Sequence, residues 1–408
     1  MPPRWVAFAV IPFALAHACS SDPSGSGPAN GISGDAGDGS DTASPDANGS
    51  TDAGAPSDSG LGADADAAAL GQLFAFVGSA DGKIRVYAVD SKSGIWTFAK
   101  ESSAGTNPSF LAFDPPRRRV VAVDETDPGM VRSFAFDAPS GALTERNAQP
   151  SGGAGPAHVS LDPTGARVFV ANYGGGTASV LPLDASGMLG VATDTKSPGA
   201  MCHWAGTDPS GAHVFVSVLS ADAISQYSLD AMSGTLADNG TAAVPAGAGP
   251  RHLAFHPSAK WAYVVNETAT SVTTLDYAAT TGKLAAKQTL SALPPAQSAA
   301  GVSGAEIFVH PSGKHVYAST RVYDSIAHFT VSQTDGTLTY VASVETGADR
   351  PRSFGVDPDG TLLFAANQDA NEVVGFRIDA ATGALTSLGK TVDVPSPAFV
   401  GLTRMPAP

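Results

Sequence analysis

The chain is predicted to be all-β, a seven-bladed β-propeller, on three observations. A short apolar run ends in Asp-Pro or His-Pro and a tight turn at Asp114, Asp162, Asp208, His256, His310 and Asp357. A third strand, followed by a Gly turn, starts at Ile84, Val131, Ala178, Ile224, Val272, Ile326 and Val373. No window sustains a long helical period. A unit of fixed period that repeats the same strand and turn grammar is the signature of a blade repeat.

The elements of one unit read most clearly from a strand over 253–256, a turn over 257–259 and a second strand over 261–265. A third strand over 272–277 follows, then Thr281-Gly282 and a fourth strand from Leu284. The Gly supplies the positive φ that a tight reversal needs. The same order recurs at 168–172 with 178–184 and at 362–367 with 373–379. Apolar and polar residues alternate within the runs, which predicts half-buried strands. The third-strand marker occurs once more often than the Pro turn. Residues 397–402, P-A-F-V-G-L, resemble P-S-F-L-A-F at 108–113 and are predicted to complete the N-terminal unit that begins near Leu73. Closing the ring with strands from both ends removes exposed sheet edges.

The propeller is assigned to 71–405 and two other segments precede it. Arg4, an apolar stretch over 5–16 and Ala16-His17-Ala18-Cys19 read as an export signal, too short to span a membrane. The last four residues resemble the lipobox of bacterial lipoproteins. That resemblance implies a signal over 1–19, lipidation of Cys19 and a membrane-anchored protein, periplasmic or at the cell surface. An ordinary secretory signal is the alternative. Residues 20–70 hold nine Asp and no Lys or Arg, so nine of the fifteen excess negative charges lie there. Such a segment buries too little apolar area to offset chain entropy and is expected to be a disordered tether. Nothing forms the basic stripe that nucleic acid requires.

Beyond Cys19 the sequence has only Cys202, so no disulfide framework is expected. Cys202 beside His203 could be a thiolate nucleophile, but a small apolar strand residue is the simpler reading. There is no G-x-S-x-G, no H-E-x-x-H, no phosphate loop and no zinc-spaced Cys pair, so no cofactor and no metal site are assigned. His310 and His315 flank a Pro-Ser-Gly turn and read as polar turn residues.

The run G-A-G-P-R-H-L-A-F-H-P at 247–257, followed by Y-V-V-N-E at 263–267, carries more chemistry. In an antiparallel hairpin the start of one strand and the end of the next share an end. Arg251 and His252 therefore lie near Glu267. The same logic puts His203 and Arg321 at that end of the neighbouring units. First strands line the central channel, so His203, Arg251, Glu267 and Arg321 converge on one mouth. A purely structural Arg251–Glu267 ion pair is the competing reading.

These residues, with N-P-S-F-L-A at 107–112, G-P-A-H-V at 155–159, V-A-N-Y-G-G-G at 170–176, A-E-I-F-V-H-P-S-G-K-H-V-Y-A-S-T-R at 305–321 and R-P-R-S-F at 350–354, resemble the seven-bladed lactonase family. That family includes bacterial 6-phosphogluconolactonases and fungal carboxymuconate-lactonizing enzymes. By motif its site residues, a His, two Arg and a Glu, fall on His203, Arg251, Glu267 and Arg321. The chain departs from the family at Thr320-Arg321-Val322, where Asn-Arg-Gly is usual, and at Val218-Leu219-Ser220 and Gly78-Ser79-Ala80-Asp81. The resemblance implies a small-molecule lactone substrate and hydrolysis by a base, an acid and an oxyanion stabiliser. Glu267 is the expected base, His203 the expected acid, Arg251 and Arg321 the anion binders, and His252 and Glu306 orient the substrate. A cycloisomerase and a non-catalytic propeller that binds a partner or glycan are the alternatives. Export argues for an unphosphorylated lactone.

Overall fold

The computed structural model describes residues 71–406. The readings for residues 1–70, including Cys19, lie outside the described residues. Within them the chain forms twenty-eight strands, β1–β28 in chain order, in seven four-stranded antiparallel sheets. Six sheets are consecutive. The remaining one orders β28 (Pro397–Met405), β1 (Gln72–Ser79), β2 (Lys83–Val89) and β3 (Trp96–Ser103), so the last strand of the chain is the innermost strand of the first blade. Phe76 pairs with Gly401 and Gly78 with Phe399 across that closure. The strand expected at 397–402 is thus present and three residues longer.

The innermost strands are β4 (Leu111–Asp114), β8 (Pro156–Leu161), β12 (Cys202–Thr207), β16 (Pro250–Phe255), β20 (Ser303–Val309), β24 (Pro351–Val356) and β28. Each packs against the next, and β28 returns to β4, so the ring is closed. Every innermost strand starts at one face of the ring, called here the site face, and ends at the opposite face, where the Asp-Pro and His-Pro turns lie. The unit read from sequence is β16, β17 (Trp261–Asn266), β18 (Ser271–Ala278) and β19 (Lys283–Ser291). His256 falls in the turn rather than in the strand, and β16 begins three residues earlier than expected, at Pro250.

Half-burial holds only for the outer strands. β3 mixes half-buried and exposed residues and has no fully buried one, whereas β1 and β17 are buried nearly throughout. The reason is blade stacking: both faces of a sheet meet a neighbour. Phe74 and Phe76 of β1 join the core shared with the second blade, and Leu73, Ala75 and Val77 join the core shared with the seventh. Seven such cores exist, one at each blade junction. The period-2 geometry of strands makes this division possible.

The turns also join blades. His256 Nε2 donates to the Gly313 carbonyl at 2.8 Å while Nδ1 accepts the Ser258 N–H at 3.1 Å. His310 repeats this with the Gly360 carbonyl and the Ser312 N–H. Both nitrogens of His310 are therefore engaged in the turn. His315 differs from expectation: it opens β21 (His315–Arg321) and its Nδ1 stands 3.0 Å from His328 Nε2. Cys202 is fully buried in the core between the third and fourth blades, and burial pushes its thiol up to about 12, which removes the thiolate reading.

Candidate active site

Irregular pairing at the site face sets the site. Register breaks lie between Pro156 and His158, Cys202 and Trp204, Pro250 and Leu253, Gly304 and Ile307, and Pro351 and Ser353. Bulges of this kind re-aim side chains beside active sites. They place His203, Arg251, His252, Glu306 and Arg352 on the channel wall.

The expected quartet is brought together. Glu267, just past β17, uses one oxygen for both arginines: Oε2 is 2.9 Å from Arg251 Nε and 3.1 Å from Arg321 Nη2. Both guanidiniums also hold the bulge of β20, Arg251 on the Ala305 carbonyl and Arg321 on the Gly304 carbonyl. Neither Arg251 Nε nor Arg321 Nε has an aligned hydrogen-bond acceptor. His203 joins through rings, its centroid 5.0 Å from His252 and 5.4 Å from Tyr173.

Electrostatics follow from crowded cations. Burial alone would raise the Glu267 carboxyl, but Arg251 and Arg321 outweigh it and hold Glu267 below the usual carboxylate value. Burial, then Arg251, then His252 press His203 well below the ordinary imidazole value. Burial and the adjacent Arg321 push the Arg251 guanidinium down as well. Arg352, 3.6 Å from Glu125, adds a further cation facing these groups.

Reading the sequence residue by residue missed His158, Arg352, Ser109 and Phe110. Placing the seven innermost strands in structural register finds them. The position that holds His252 in β16 holds Phe110, His158, Trp204, Glu306, Ser353 and Phe399 in the other blades, and the preceding position, that of Arg251, holds Ser109, His203 and Arg352. His158, His203 and Phe110 all bring their ring centroids to within 5.4 Å of that of His252. Phe110 lies 4.4 Å from His158 and 4.7 Å from Phe399, centroid to centroid, and His252 Nδ1 lies 2.7 Å from Glu306 Oε1. Burial pushes Glu306 up to about 7.

The model of the family described as lactonase, 7-bladed beta-propeller, matches residues 74–402. The chain belongs to that family. This lactonase-family propeller is 33% identical over 341 residues to the 6-phosphogluconolactonase of Bacillus subtilis, covering 78% of this chain and 97% of the relative. It is 30% identical to the 6-phosphogluconolactonase of Formosa agariphila, covering 77% and 94%. Among solved structures it resembles the periplasmic gluconolactonase of Pseudomonas aeruginosa, with a TM-score of 0.76, 25% identity and coverage of 82% and 100%.

Proposed function

We infer that this protein is a lactone hydrolase acting at the site face of the channel. The observation that carries the reading is the pair of arginines converging on one carboxylate oxygen of Glu267 at the site face. A lactone carbonyl that becomes a tetrahedral oxyanion needs such preorganised donors, and removal of one donor of this kind costs roughly 10² to 10³ in rate. Glu267 keeps the two guanidinium planes in place. Because it is held ionised and doubly paired, it is a weak proton acceptor, so this reading moves the base away from Glu267. His203 is held neutral and is a poor acid for the same reason: a neutral imidazole that gave up its proton would leave an imidazolate. His203 then serves to pack against the reacting groups.

Arg251, Arg321 and Arg352 meet Glu267, Glu125 and Glu306 at this face, and the planar forks of the arginines suit a developing negative charge on the substrate. The names of the relatives support a sugar lactone. An unphosphorylated lactone is preferred, on the export reading of residues 1–19 and the likeness to a periplasmic gluconolactonase. Export and a lipid anchor on Cys19 at a periplasmic or cell-surface membrane belong to the same proposal.

The test is turnover by the full chain on sugar lactones, with and without a 6-phosphate, and on muconolactone, read as base consumption. Arg321→Ala is expected to lower kcat/KM by about 10²-fold or more. Arg251→Lys is also expected to lose most activity, since an ammonium cannot replace a planar fork. Undiminished turnover in both variants would remove the arginines from the mechanism. Ring closure of a muconate without hydrolysis would assign a cycloisomerase, and no turnover of any lactone would favour a binding protein.

A further inference from the structure

The channel wall contains a pair that the arginine site leaves unused. His252 and Glu306 sit on adjacent innermost strands, 3% and 7% exposed, with Nδ1 and Oε1 2.7 Å apart. Glu306 is fixed on both sides: Oε1 also accepts the Ile307 N–H at 3.0 Å, and its own N–H donates to Ser319 Oγ at 3.0 Å. The other ring nitrogen of His252, Nε2, is buried without a hydrogen-bond partner. His252 lines a small cavity together with Ser109, Phe110, Arg251 and Arg352, among others, with room for roughly one water molecule. Ser109 Oγ is likewise buried and unpartnered there. Unpaired polar atoms around a water-sized cavity are the usual setting of an ordered water.

We propose that His252, oriented by Glu306, is the general base of this site, and that the cavity it shares with Ser109 holds the water it activates. The inference rests on the lactone reading above and supplies the base that Glu267 does not. With Glu306 ionised and accepting from Nδ1–H, the Nε2 lone pair is free. It takes a proton from water as the water oxygen bonds to the lactone carbonyl carbon, and the carbonyl electron pair moves onto oxygen beside Arg251 and Arg321. When the ring C–O bond breaks, the departing alkoxide takes the proton back from the His252 imidazolium. Water and lactone are consumed, a hydroxy acid is formed, and His252 is restored.

The pH behaviour follows from the groups that face the pair: Arg251 on the same strand, His158 from β8, His203 from β12, Glu267 after β17, Arg321 from β21, and Arg352 and Ser353 from β24. Burial, aided by Arg251 and Arg352, holds His252 well down, while burial holds Glu306 up at about 7. The pair therefore takes up one further proton as a unit as pH falls through about 7. Either site for that proton occupies or disables Nε2.

The experiment uses the full chain. kcat/KM is followed from about pH 5.5 to 8.5 on whichever lactone the wild type opens, for wild type and Glu306→Gln. The ¹⁵N shifts of His252 are read in the ligand-free wild type at the alkaline end. The expected results are a one-proton acid limb in the wild type, an Nδ1–H tautomer, and in Glu306→Gln a loss of about 10²-fold or more, mostly in kcat, with the limb displaced to lower pH. Wild-type turnover with Glu306→Gln within about threefold and the limb in place would overturn the proposal and leave the lactone reading standing. No turnover of any lactone overturns both. If Glu306→Gln does not fold, the tautomer decides: a proton on Nε2 overturns the assignment.

Discussion

Val322 follows Arg321 with φ +77 and an exposed side chain. A β-branched residue in the left-handed region is strained, and this is the position where the family usually has Gly. Val322→Gly should remove about 1 to 2 kcal/mol of strain against a smaller entropic cost of added backbone freedom, a net gain of roughly 0.5–1 kcal/mol. A melting temperature higher by roughly 1–2 °C is expected; an unchanged or lower value would mean that the loop draws support from Val322 that the φ angle does not reveal. Residue positions were more legible than residue roles. Arg251, Glu267 and Arg321 could be grouped because antiparallel hairpins fix which strand ends coincide. That one Glu267 oxygen serves two arginines, and is thereby a poor base, depends on side-chain geometry that no motif carries. The partnership of His252 with Glu306 was equally invisible, because the two residues are 54 positions apart and belong to different blades.

At the scale of elements, the third strands begin within one residue of their sequence markers: β2 at Lys83 against Ile84, and β18 at Ser271 against Val272. The bulges were not legible. One extra unpaired residue leaves no mark in an apolar run, yet it turns Arg251 and Glu306 onto the channel wall. The seven-fold register would have exposed His158 earlier, since G-P-A-H at 155–158 and G-P-R-H at 249–252 already align it with His252. β28 is the element whose loss is most consequential. A chain ending at Ser396 would leave β1 as an open inner edge and would remove Phe399, Val400, Leu402 and Met405 from two blade junctions. It is expected to aggregate or to lack a cooperative transition. A soluble truncated protein melting within about 2 °C of the full chain would contradict that expectation.

The molecule as a whole carries an acid-sensitive interior. His158, His203, His252, His315 and His328 are all held below the ordinary imidazole value, burial being the first cause in each case, with His328 pushed down to about 4. A group neutral in the folded chain that binds a proton once unfolded favours unfolding as pH falls below about 6.5, by up to about 1.4 kcal/mol per group per pH unit. Glu306 acts in the opposite sense between about 4.5 and about 7, because its proton is held in the folded state, and offsets one of the five. The melting temperature should therefore fall steadily between pH 7 and pH 5.5, a range taken to lie across the imidazole transition. A flat profile would mean that these rings are hydrated in solution.

The closure of the first blade by β28 also sets an order in time. A chain made from its N-terminus has β1 to β27 available while the innermost strand of its own first sheet does not yet exist. Six blades can stack as they emerge, but β1 must wait with an unpaired inner edge until residues 397–405 arrive. The final strand thus works as a latch on synthesis: an interrupted chain of any shorter length is an open arc with a sticky seam, the kind of species that quality control recognises by its exposed strand edge.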